Sequence, residues 1–310
     1  MIFTVLGERR VTKVKMSEVR LANKGETARQ KEIWKLCFGD SDHYIDFFYA
    51  NRYKEEETMV LLQDGEILAM LTMLPIKTIA FDKRSFNSTM LYAIATHPKY
   101  QNRGFATHLM DFTYQYLSKK KDAFSVLVPS EKQLFDFYRK QGYQDGFYIR
   151  EALFTMKRIE SLHIGETCQC TISGITPEEF NQRRNKQLSG RFYVSYADEE
   201  IAYQQKLSQQ FGADIYGIEI EEVQGCVAIE KINSDKVFIK ELLIPEQLLP
   251  VAVKHIAQLL PAKEYILRTP AFLGKQLEGS IRPFGMIRAN QEIDFEITPE
   301  DSGYLGFAFD

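Results

Sequence analysis

Six consecutive residues, Gln101-Asn102-Arg103-Gly104-Phe105-Ala106, combine types suited to holding an anion. A glycine at 104 lets the backbone approach a ligand closely. The helical pattern that follows from Thr107 would begin with backbone N–H groups that have no acceptor inside the helix. Such a loop suits a pyrophosphate. It is not a Walker loop, because no Gly-Lys-Ser/Thr follows, and not a dinucleotide fingerprint, because the three-glycine pattern is missing. A pattern of Gln or Arg, two free positions, Gly, one free position and then Gly or Ala arises by chance about 0.3 times in a chain of this size, from average residue frequencies. Its weight therefore comes from what surrounds it.

Other reactive residue types are less organised. His97 stands just before Pro98, where a polar residue is usually structural, and Glu131 stands where it could cap a helix. Cys168 and Cys170 are too close for the common zinc knuckles. In the strand-like stretch Thr167-Cys168-Gln169-Cys170-Thr171-Ile172 they share one face and read as packing residues. The histidines at 43, 97, 108, 163 and 255 are scattered, so the expectation is no metal.

The composition sets the class. With 310 residues, 45% of them hydrophobic and 13% aromatic, the chain has enough apolar mass for two domains or one large one. Disordered and low-complexity classes fall away. Lys+Arg of 39 against Asp+Glu of 42 leaves a net charge of −3, so neither nucleic acid nor a membrane surface is expected as a partner. The run Lys119-Lys120-Lys121 sits at the end of a helical pattern, where cations suit the dipole. Met1 to Lys15 carry no apolar run of signal-peptide length, which makes a cytoplasmic location the expectation. Residues 1–15 read as an N-terminal extension, with Met16 a second plausible start.

Elements that would position the loop can be read from periodicity. Thr27 to Phe38 and the aromatic-rich stretch from Tyr44 to Asn51 predict two helices, separated by Gly39 and a cap at Ser41-Asp42. Thr58–Leu62 and Ile67–Leu74 predict a hairpin turning at Asp64-Gly65. Met90–Thr96 predicts a strand, a long helix follows Gly104, Ala123–Val128 predicts a buried strand, and a helix running through Tyr138 closes at Gly142. The second half repeats the order: strands at 216–220, 226–229 and 237–244, a helix over 245–260, and a strand at 265–268. Pro98 and Pro129 are 31 residues apart, Pro245 and Pro270 only 25 apart, and the shortfall falls where the glycine loop stands. Arg282-Pro283-Phe284-Gly285-Met286 is read as the counterpart of the helix closure at Arg139-Lys140-Gln141-Gly142-Tyr143. A tandem repeat of one mixed α/β fold is expected, joined between Arg158 and Thr176, where Thr176-Pro177-Glu178-Glu179 forms a capping box.

The stretch Tyr92-Ala93-Ile94-Ala95-Thr96-His97-Pro98-Lys99-Tyr100-Gln101-Asn102-Arg103-Gly104-Phe105-Ala106 resembles the acetyl-CoA motif of the GCN5-related N-acetyltransferase (GNAT) superfamily. Val128-Pro129-Ser130-Glu131, leading to Phe137-Tyr138 and Gly142-Tyr143, resembles that superfamily's next strand and helix. The likeness covers roughly residues 17 to 155 by motif and the rest by layout, and is greatest to the Eis-like branch of tandem acetyltransferases. That branch adds a sterol-carrier-like domain, for which this chain has no room.

The resemblance implies a tandem GNAT fold, mixed central sheets flanked by helices, with a catalytic domain over 16–158 and a degenerate copy over 159–310. It implies acetyl-CoA as co-substrate. Backbone amides of Asn102, Arg103, Gly104, Phe105 and Ala106 would hold the pyrophosphate beside Gln101, with Arg103 adding charge. Ile94, Ala95 and Thr96, with Ala93, would present backbone groups to the pantetheine arm, one N–H polarising the thioester carbonyl. Tyr138 would be the general acid that protonates the leaving thiolate. The base is open: the strand 90–96 holds no carboxylate, and His97, Glu131 and Asp310, a terminal carboxylate of the kind some Eis-type enzymes use, are the candidates. Cys37, Phe38, Asp42, Tyr44 and Phe48 are candidates for the acceptor wall, with Asp42 alternatively a helix cap. The second copy lacks the glycine loop and has Ile281 where the first has Tyr138. The expected activity is acetyl transfer to a primary amine of a small molecule or peptide by direct attack, with a homodimer admitted. A non-catalytic acyl-CoA-binding or interaction module is the alternative, and an aminoacyl-tRNA-dependent peptidyltransferase is disfavoured by the intact loop and the absence of a basic stripe.

Overall fold

The computed structural model describes residues 17–162, 169–293 and 303–309. In chain order the elements are β1 (Ser17–Leu21), α1 (Thr27–Phe38), α2 (Asp42–Asn51), β2 (Thr58–Gln63), β3 (Glu66–Ile79), β4 (Ser85–Thr96), α3 (Phe105–Lys119), β5 (Phe124–Leu127), α4 (Lys132–Lys140) and β6 (Gln144–Thr155). There follow α5 (Met156–Glu160), β7 (Cys170–Gly174), α6 (Pro177–Gln187), β8 (Tyr193–Ser195), α7 (Asp198–Gln210), β9 (Ile215–Ile220), β10 (Val223–Asn233), β11 (Lys236–Leu243), α8 (Leu249–Leu259), β12 (Glu264–Pro270) and β13 (Ser280–Ala289). Two compact units result: Met1–Thr72 with Ala93–Thr113, and Met73–Tyr92 with Tyr114–Asp310.

The first unit is a short antiparallel sheet with two helices. β1 pairs with β2, and β2 with β3 through a turn whose two residues, Asp64 and Gly65, both have positive φ. That is the backbone a two-residue hairpin needs to match strand twist. Ser41 caps α2 by accepting the Tyr44 N–H, and Gly39, left-handed at φ 74°, closes α1. Trp34 and Phe48, both almost wholly buried with ring centroids 4.9 Å apart, seat the two helices on each other. Phe48 is therefore core and not acceptor wall. Asp42 is not the cap it could have been; it lies exposed in the first turn and pairs with Lys35 at 2.8 Å.

The repeat shows as two parallel crossovers. β4 leads through α3 to β5, parallel to β4, and β11 leads through α8 to β12, parallel to β11. The apolar face of α8, with Val253 and Ile256, packs over Phe154, Ile239, Tyr265 and Leu267. The last strands of the two halves are exchanged. β13 pairs with both β5 and β6, while β6 pairs with β12. Each half thus supplies a strand to the other's sheet.

One landmark is corrected. Arg282-Pro283-Phe284-Gly285-Met286 closes no helix; it lies within β13, and the segment after β12 holds only a single 3-10 turn, Lys275–Leu277. A proline inside the stretch argues against a helix interior. Here it stands at a register shift between Pro283 and Gly285, where a ladder hydrogen bond is missing in any case. Gly285 permits the close packing, because a Cβ there would lie 3.0 Å from Leu305 and 3.2 Å from Phe147. The C-terminal tail, Gly303 to Phe309, is buried throughout, bridges Phe147 through Gly303 and Tyr193 through Tyr304, and turns at Gly306 and Phe309, which have positive φ.

Candidate active site

In the first unit, β4 reaches its end through a break in its own geometry. Ala93 has φ 50°, a left-handed conformation that costs a residue with a Cβ roughly 1 kcal/mol or more. Ile94, half-buried, and Ala95 and Thr96, buried, complete the strand. The Thr96 carbonyl accepts from Gln101 Nε2 at 3.0 Å and from Cys37 Sγ at 3.2 Å. The backbone N–H of His97 donates to the Leu68 carbonyl, and its Nδ1 accepts from the Lys99 N–H, which starts the turn Pro98–Tyr100. Buried and already engaged in the turn, His97 has a structural role rather than that of a base.

The loop then reverses sharply. Asn102 has φ 60° and Gly104 φ 80°, so left-handed residues flank Arg103, a backbone pattern of the kind that builds anion-binding concavities. The first bond of α3 runs from the His108 N–H to the Gly104 carbonyl at 2.9 Å. The N–H groups of Phe105 and Ala106 precede that ladder and have no intrahelical acceptor. A Cβ built on Gly104 would meet nothing within 4 Å, and residues 101 to 104 are exposed. The loop therefore has open space for an anion beside a helix start that favours one. Arg103 lies 5.6 Å from the Tyr100 ring centroid, and Tyr100 donates to Glu66. Gln101, Asn102, Arg103, Gly104, Phe105, Ala106, Ile94, Ala95 and Thr96 fall together at one end of β4.

Cys37 is half-buried, and burial pushes its thiol above the usual range. Tyr44 is half-buried and Phe38 exposed, at the ends of α2 and α1 respectively.

Tyr138 belongs to the second unit. It lies on α4, 7% exposed, with its ring edge-on to Tyr143 at 5.9 Å and to Phe137 at 5.1 Å. Burial pushes its phenol well above the ordinary tyrosine range, and the neighbouring Tyr143 pushes it further. It therefore keeps its proton throughout the physiological range. Glu131 occupies the N-cap position of α4 but makes no capping bond; its carboxylate accepts from Gln133 Nε2 at 2.7 Å instead. Its expected role as a cap is not realised, because a side chain longer than Asp or Asn folds back on the helix less readily. Cys168 and Asp310 lie outside the described residues.

The second half lacks an anion loop at the equivalent place. Leu249, Pro250, Val251 and Ala252 at the start of α8 are buried, and Pro250 has no N–H to offer. The carboxylate of Glu246, just after Pro245, accepts the N–H groups of Gly274 and Gln276. Among the described residues no group of three or more His, Cys, Asp or Glu could hold a metal, and no helix is long and apolar enough to cross a membrane.

Residues 18–146 match the family model described as an acetyltransferase (GNAT) domain. Among solved structures, the chain is similar to a GCN5-related N-acetyltransferase from Anabaena variabilis, 16% identical with a TM-score of 0.68, over 89% of this chain and 73% of that one. It is also similar to Eis1 from Mycobacterium abscessus, 12% identical with a TM-score of 0.67, over 88% and 74% of the two chains. A tandem GNAT protein from the clavulanic acid biosynthesis pathway is matched over its whole length and 91% of this chain, 10% identical with a TM-score of 0.53. These likenesses are of fold, and they extend over both halves. No curated protein matches the chain.

Proposed function

We propose that the chain, whose residues 18–146 match the acetyltransferase (GNAT) domain model, is an acyltransferase that moves an acetyl group from acetyl-CoA to a primary amine of a small molecule or peptide by direct attack. The observation that carries this reading is the loop at 101–106, where Asn102 and Gly104 are left-handed, a Cβ on Gly104 would meet nothing within 4 Å, and the loop leads straight into the start of α3. The residues fit the group: a diphosphate needs N–H donors and room for its oxygens, and this loop supplies both.

Acetyl-CoA, when bound, supplies the acetyl carbonyl as a thioester. The amides of Asn102 to Ala106 and the charge of Arg103 hold the pyrophosphate. Backbone groups of Ile94, Ala95 and Thr96 order the pantetheine arm, and one N–H polarises the carbonyl on which charge develops. The acceptor nitrogen forms the new C–N bond as the C–S bond breaks. The sulfur takes the Tyr138 proton, and the amine gives up one of its own. We place the catalytic domain at 16–158 and the degenerate copy at 159–310, with a cytoplasmic location.

Calorimetric titration tests the loop. Wild type is expected to bind acetyl-CoA, and Gly104→Glu to bind it at least about 100-fold more weakly. The new side chain forces a Cβ into a left-handed position and sets a carboxylate against a phosphate. Equal binding by the two proteins would place the nucleotide elsewhere. For the base, Asp310 remains the candidate we put forward. Deleting residues 308–310 should lower kcat by about tenfold or more if a carboxylate there takes the amine proton, and an unchanged kcat would remove it.

A further inference from the structure

We propose that Arg288 and Asn290, contributed by the half that has lost the acetyl-CoA loop, are positioning residues for the proton donor Tyr138. The inference rests on the reading of Tyr138 as the general acid. β13 lies between β5 and β6, with Arg288 opposite Ser125 and Ile287 opposite both Val126 and Gln144. That register brings a cation from the second half beside the aromatic cluster under α4. The guanidinium carbon of Arg288 lies 3.9 Å from the centroid of Tyr114, and its Nη1 donates to Asn290 Oδ1 at 3.2 Å. The same Asn290 oxygen accepts from Ser125 Oγ at 3.0 Å, and Ser125 Oγ in turn accepts from Tyr143 OH at 3.0 Å. Asn290 is itself fixed by its backbone N–H on the Ala123 carbonyl at 2.9 Å and its amide on the Asp122 carbonyl at 3.3 Å.

Tyr143 is the element on which Tyr138 rests. Its ring meets Tyr138 edge-on at 5.9 Å, and its N–H donates to the Tyr138 carbonyl at 3.1 Å. The chain Arg288, Asn290, Ser125, Tyr143 therefore ends on the wall that sets the ring plane of Tyr138. Gly142 makes the approach possible: it is left-handed at φ 85°, and a Cβ there would lie 3.3 Å from Arg288 Nε. A partly buried network of linked hydrogen bonds fixes side-chain geometry more firmly than apolar contact alone. A donor that must meet a thiolate at hydrogen-bond distance loses rate when its ring tilts.

A double-mutant cycle on the full chain tests this. Arg288→Met and, separately, Asn290→Ala are each expected to lower kcat about tenfold while changing the KM for acetyl-CoA less than about twofold. In a Tyr138→Phe background the same substitutions should cost less than about twofold, because the group they position is gone. Arg288→Lys keeps the charge over Tyr114 without the fork and should recover part of kcat. Equal losses in both backgrounds, or a loss confined to KM, would overturn the positioning role and leave Tyr138 as the acid. Tyr138→Phe with wild-type turnover would overturn the acid itself and the positioning role with it. Asn290→Ala, which leaves the cation in place, gives the same reading should Arg288→Met fail to fold.

Discussion

Replacing Tyr138 with phenylalanine is expected to lower kcat for acetyl transfer by about 100-fold, the range typical of losing one general acid. The substitution deletes only the hydroxyl. The ring contacts to Tyr143 and Phe137 remain, so the thermal midpoint should hold while turnover falls. The pH profile sharpens the test. Burial, and then Tyr143, raise the phenol's pKa, and the acid form of a group persists below its pKa. A raised value extends the protonated range upward, so Tyr138 contributes no descending alkaline limb at or below pH 9. The wild-type rate should instead climb with pH as the acceptor amine loses its proton, then level off. Steady-state kinetics between about pH 6 and 9 read both features. Turnover within twofold of wild type would make Tyr138 a packing aromatic, and a wild-type rate that falls toward pH 9 would assign the acid to a group with an ordinary pKa.

Much of this site was legible because it is local in sequence. Gly39, Ser41 and Asp64-Gly65 act on the next few residues, so their type alone announces where α1 stops, α2 starts and β3 turns back. The glycine loop is of the same kind: residues 101 to 106 stand together in the chain and in the structure, and Gln101 closes back only as far as Thr96. The left-handed Ala93 was not legible, since alanine carries no preference for that conformation and only the surrounding strand imposes it.

The exchange of β6 and β13 left no local signal either. Both strands mix apolar with charged residues, and nothing in a sequence states which strands a given strand will pair with. It was the reading of Arg282 to Met286 as a helix closure that concealed β13, because an arginine followed three residues later by a glycine repeats the pattern at the end of α4. Arg288 and Asn290 had no motif that could have singled them out. Their significance arises from a register that sets Arg288 opposite a serine more than 160 residues away. Asp198 to Gln210, α7, was likewise passed over, since its buried Glu200, Gln204 and Ser208 blur the apolar stripe that periodicity looks for.

The largest stability effect is expected at Arg184, on α6, which is wholly buried against an equally buried Glu241 with Nε and Oε1 2.9 Å apart. Its Nη1 donates to the Val194 carbonyl at 2.7 Å and its Nη2 to the Leu305 carbonyl at 3.1 Å, while the plane of the group stands among the rings of Tyr196, Tyr304 and Phe307. One side chain therefore ties α6, β11 and the tail together. Tyr196 adds bonds from its hydroxyl to the Leu305 and Phe307 carbonyls. Gly306 crosses close above the pair, where a Cβ would lie 2.6 Å from Arg184 Nη2. Arg184→Met keeps most of the volume and leaves the Glu241 carboxylate buried without its cation, which should cost about 3–5 kcal/mol in denaturant unfolding. Burial already raises the Glu241 carboxyl above its usual range, against the pull of Arg184, and removing the arginine raises it further. With the unfolded value common to both proteins, the variant's deficit should be complete above its own folded-state pKa and shrink as pH falls through it toward the lower folded-state pKa of the wild type. Adding Glu241→Leu should recover part of the loss and abolish its pH dependence, with the carbonyls of Val194 and Leu305 still lacking their donor. A deficit under about 1 kcal/mol, or one that grows on acidification, would mean that water reaches Glu241 and that the tail is held by its aromatic packing alone.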